Sequence, residues 1–102
     1  MDNTSQSLYS GESRAVTITI LDRNHTAFVP TSASTYKVTD DDGVEVIAEI
    51  NATNSSNTLT CVIGTDVTAT VGNYYIIWTI VDSNGYTYKH KTYLNVIDIE
   101  AI

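Results

Sequence analysis

The chain has 102 residues, the size of one domain, and a domain this small leaves little interior for a deep catalytic cleft. Sixteen Thr, seven Tyr and many Val and Ile favour pleated strands over helices. A net charge of −7 disfavours nucleic acid and anionic membrane as partners, because both need a basic patch.

The first eleven residues are polar apart from Leu8 and Tyr9, and they read as a flexible arm before a domain spanning 12–102. They lack the basic and apolar regions of a signal peptide, and no segment of the chain approaches the roughly 18 apolar residues of a membrane span. Arg14 to Leu21 alternates strictly, with Val16, Ile18 and Ile20 on one side and Thr17 and Thr19 on the other. That is a half-buried strand. Asp22 to His25 reads as a turn, and Pro30 places its stretch at a sheet edge or outside a strand.

Ser34 to Thr39 reads as a strand with Tyr36 and Val38 inward. Asp40-Asp41-Asp42-Gly43 is a hairpin signal, since glycine readily supplies a positive φ. In the returning strand Val44, Val46, Ala48 and Ile50 are expected to face the core, with Glu45 and Glu49 in solvent. Asn51 to Asn57 reads as a polar loop. Leu59, Cys61 and Ile63 share a face of the next strand, and Thr65 to Val71 crosses between sheets.

Gly72 to Val81 is the most apolar run. Tyr74, Ile76, Trp78 and Ile80 lie on one face, and Tyr75, Ile77 and Val81 on the other. A strand apolar on both faces is covered on both, by its own fold or by a partner. Ser83-Asn84-Gly85 makes a second hairpin turn. In the last strand, Tyr86 to Ile97, His90, Thr92, Leu94 and Val96 oppose Lys89, Lys91, Tyr93 and Asn95. Six or seven strands with regular turn signals give an all-β, antiparallel two-sheet sandwich of the immunoglobulin-like kind. The expected core is Val16, Ile18, Ile20, Tyr74, Ile76, Trp78 and Ile80.

No residue constellation calls for a metal, a cofactor or catalysis. The triple-Asp turn lacks the spaced oxygen ligands of a calcium loop. His25 sits in a turn, and His90 stands between Lys89 and Lys91 without metal-ligand spacing. Cys61 lies mid-strand, where inert buried thiols sit, and a lone cysteine forms no intrachain disulfide, which fits a chain folded in a reducing compartment. Tyrosines are the candidates for surface chemistry. Tyr75, Tyr86, Tyr88 and Tyr93 are expected to form an aromatic strip, serving a protein interface or stacking on carbohydrate; cross-strand pairing within the sheet is the alternative. With Leu8, Tyr9, Ile77 and Val81 they make up the candidate interface.

Two stretches carry a resemblance to a known group. Thr70 to Gly85 has the form G-x-Y, alternating strand, Asp-x-x-Gly, and resembles the last hairpin of immunoglobulin-like domains. Tyr9-Ser10-Gly11-Glu12 before the first strand, with Tyr36 to Gly43 as the second hairpin, looks like small immunoglobulin-like accessory proteins of tailed bacteriophages. The group's Leu-Thr-Gly after the first strand is replaced here by Phe28-Val29-Pro30-Thr31-Ser32. The resemblance implies a non-catalytic virion structural protein. It would bind a larger assembly, the phage capsid or other virion proteins, or else act as a tail or baseplate adaptor, with a homo-oligomer as a further expectation. A carbohydrate-binding module is the reading from another class.

Overall fold

Period-two alternation of β-branched and aromatic residues decides which elements form. The computed structural model describes residues 4–20, 34–55, 57–82 and 85–98. Among them are eight strands and one short helix: β1 Thr4–Tyr9, β2 Arg14–Thr19, β3 Thr35–Asp40, β4 Glu45–Asn51, β5 Thr53–Ser55, β6 Thr58–Ile63, α1 Thr65–Thr68, β7 Gly72–Val81 and β8 Thr87–Ile97. They build two sheets, a five-stranded one in the order β1-β8-β7-β3-β4 and a three-stranded one in the order β2-β6-β5. The chain is an all-β sandwich.

The core lies between the sheets. Val16 and Ile18 of β2 and Leu59, Cys61 and Ile63 of β6 face Tyr36, Val38, Tyr74, Ile76, Trp78, Ile80, Leu94 and Val96 of the larger sheet, and Ile20 is buried with them. Tyr36 and Trp78, cross-strand partners, hold their rings 5.9 Å apart. His90 also faces inward and is buried, because alternation turns it away from the two lysines that flank it in sequence.

Several expectations need correction. Within the supposed flexible arm, Thr4–Tyr9 is an edge strand paired in parallel with β8, so the larger sheet is not wholly antiparallel. Its polar side chains concealed one anchor: Leu8 is 1% exposed and belongs to the core, not to an interface. The bend after β1 is fastened by Ser10 N–H to the Ile97 carbonyl at 2.8 Å and Thr68 Oγ1 to the Glu12 carbonyl at 2.7 Å. The Glu12 carboxylate accepts from Tyr9 N–H at 2.9 Å and pairs with Arg14 at 2.6 Å.

The alternation expected of β4 fails. Register shifts against β3 let Val46 and Ile47 both lean on the core, while Val44 and Ile50 are 61% and 53% exposed. The expected loop at 51–57 contains β5, and the crossing after β6 contains α1. The expectations for Asp22 to His25, Pro30 and Ser83-Asn84 lie outside the described residues.

Candidate functional site

The outer face of the five-stranded sheet gathers the side chains that the core does not use. Register sets them in rows across β3, β7 and β8: Thr39–Tyr75–Tyr93, then Lys37–Ile77–Lys91, then Thr35–Thr79–Lys89. Alternation with the buried residues of β3, β7 and β8 sets this phase; Thr39, at the register shift of β3, is the one of the nine that is itself buried.

Tyr75 is the centre of this face. Its ring meets that of Tyr93 edge-on, with centroids 5.3 Å apart at 72°, a favoured arrangement for aromatic pairs. The Lys91 ammonium lies 4.9 Å from the Tyr75 ring centroid and 6.0 Å from that of Tyr93, within range of cation–π attraction. The Tyr75 hydroxyl donates to Asp41 Oδ1 at 3.0 Å, and this bond to a carboxylate pushes its pKa above the ordinary tyrosine value. Lys89 Nζ donates to Thr79 Oγ1 at 2.7 Å. Open depressions flank Tyr75: one of about 500 Å³ lined by Lys37, Lys91, Ile77 and the aspartates Asp40, Asp41 and Asp42, another of about 410 Å³ towards Asn73, Asn95 and Ser7.

The β3–β4 turn beside this face uses its acids structurally. Asp40 Oδ1 accepts from the amides of Asp42 and Val44, each at 2.9 Å. Gly43 closes the turn with φ +83°, a left-handed conformation that suits glycine. Asp82 repeats the device, its Oδ1 accepting from Tyr86 N–H at 2.9 Å. Among the described residues no three His, Cys, Asp or Glu side chains gather as a metal site would need. Cys61 is buried, and burial pushes its thiol up to about 12, so it is held protonated between the sheets.

The expected tyrosine strip splits. Tyr75 and Tyr93 share the outer face with Ile77 and Val81. Tyr88 has the opposite phase on β8, and its hydroxyl donates to Asp82 at 3.3 Å. Tyr86 belongs to the second turn through its amide. Tyr9 is exposed at the end of β1, opposite Ile97. The lysines were not singled out from sequence. Lys37 is distant from Lys89 and Lys91 in the chain, and only the β3–β7–β8 register brings it level with Lys91 across Ile77.

No protein-family model and no curated protein matches the chain. Among solved structures it is similar to CopC from Methylosinus trichosporium OB3b, with a TM-score of 0.70 and 17% identity over 97% of this chain and 89% of that one. At that identity the likeness shows the fold alone. The capsid-accessory expectation is corrected on this finding: the solved structure that shares the sandwich is CopC, and no family model or curated protein supplies a phage link. The virion function inferred from the sequence pattern is set aside.

Proposed function

We propose that the chain is a non-catalytic protein-binding domain that meets its partner with the outer face of the five-stranded sheet. The observation that carries this reading is segregation. All three lysines of a chain with net charge −7 stand on this one face, beside two tyrosines and Ile77. Tyrosine is enriched at the centres of protein interfaces, where its ring adds contact area at low entropic cost. The depressions are open and lined largely by polar side chains, whereas a small-molecule site is enclosed and mostly apolar.

The test is co-purification of the native partner with the full chain from the cells that make it. Tyr75→Ala with Ile77→Asp is expected to abolish recovery, while Val62→Asp on the opposite sheet leaves it unchanged. Equal recovery from all three proteins would overturn the reading.

A further inference from the structure

The geometry points to the kind of partner this face takes: an extended acidic segment of another protein, with carboxylates at alternate positions, laid along β8. This deepens the proposal of a protein-binding face and rests on it. Among the described residues, none of Lys37, Lys89 and Lys91 pairs with a carboxylate, although the chain has twelve acidic residues. Three like charges on neighbouring strands repel one another, and although Asp40, Asp41 and Asp42 line the depression that Lys37 and Lys91 share, no described carboxylate comes within ion-pair distance of a lysine. An incoming anion would relieve that repulsion, and complementary charge also speeds encounter and fixes register.

The spacing favours an extended ligand. Lys89 and Lys91 lie two residues apart on the same side of β8, about 6.6–6.8 Å along the strand, the repeat of same-side side chains in any extended segment. Lys37 stands two strands away in the row of Lys91, about 9.5 Å across the sheet, with Ile77 between them as an apolar floor. Asp41, held by the Tyr75 hydroxyl, edges the same depression. Its charge repels an acidic segment from the turn end and directs it towards Lys89. A nucleic acid fits less well. Three lysines neutralise few phosphates, and the rest of this acidic chain repels a uniform polyanion.

The experiment is an amide chemical-shift titration of the isotope-labelled full chain with three probes. These are a heptapeptide alternating glutamate and threonine, its glutamine counterpart, and a short single-stranded DNA. The acidic peptide is expected to shift the amides of Lys37, Ile77, Lys89 and Lys91, with affinity falling about tenfold from low to high salt. Lys37→Met with Lys91→Met, whose folded spectrum is checked first, is expected to remove the effect. Equal shifts with the glutamine peptide would overturn the acidic partner but leave the protein-binding face standing. Stronger binding of the DNA on the same amides would overturn it in favour of nucleic acid. No shift on this face with the acidic peptide would overturn it outright, while the co-purification result judges the protein-binding proposal separately.

Discussion

The indole N–H of Trp78 donates to Oγ1 of Thr92 at 2.9 Å, and both side chains are fully buried. The bond joins β7 to β8 inside the core and satisfies the one polar atom that the largest core residue brings with it. Thr92→Val keeps the shape but removes the acceptor, leaving a buried donor without this partner. The expected cost is about 1–3 kcal/mol. Trp78→Ala is expected to cost about 3–5 kcal/mol by opening a cavity, a large share of the roughly 5–15 kcal/mol that holds a small domain. Urea denaturation measures both; a Thr92→Val midpoint equal to the parent's would show that the bond contributes nothing.

Leu8 tests whether β1 is part of the folded domain. Leu8→Ala is expected to destabilise by about 2–5 kcal/mol, as for other buried leucines. A variant that melts with the parent would return residues 4–9 to the status of an arm.

The β3–β4 turn gives two expectations. Gly43→Ala meets no neighbouring atom, so its expected cost of about 1–2 kcal/mol reflects the left-handed backbone alone. Calcium is expected to leave the melting temperature unchanged, because Asp40 is engaged by two backbone amides. A calcium-dependent rise lost in Asp41→Asn with Asp42→Asn would refute this.

Cys61 sets an alkaline limit. Its folded pKa, about 12, lies above the ordinary thiol value, so the folded state holds a proton that the unfolded state releases. The stability it contributes is complete below about pH 8.5 and declines as pH rises towards 12. Denaturation midpoints at pH 8 and 10.5 are expected to differ less in Cys61→Ala than in the parent. A thiol reagent that labels the folded parent as fast as the unfolded chain would contradict the buried assignment.

Much of the sandwich was legible because its strands alternate. Val16, Ile18 and Ile20, and Tyr74 through Ile80, are buried in the phase that their spacing implies. Legibility ended where alternation is broken or hidden. Register shifts in the β3–β4 pairing broke the alternation of β4, where Val44 and Ile50 lie exposed, and β1 is held mostly by main-chain bonds that leave no apolar pattern. The site was half legible. Tyr75, Ile77 and Tyr93 follow from strand phase, but the row Lys37–Ile77–Lys91 depends on register between strands far apart in sequence. Tyr88 was grouped with Tyr75 by residue type, although its phase on β8 turns it away.

Position-resolved photocrosslinking tests the central claim most directly. A photoreactive side chain replaces Ile77 on the outer face of β7 in one full-length protein and Val62, exposed on β6, in another, and both are irradiated in the producing cells. The account predicts a discrete crosslinked protein from position 77, none from position 62, and loss of the product when Lys37, Lys89 and Lys91 are all changed to Glu. The same product from both positions, or from position 62 alone, would contradict it.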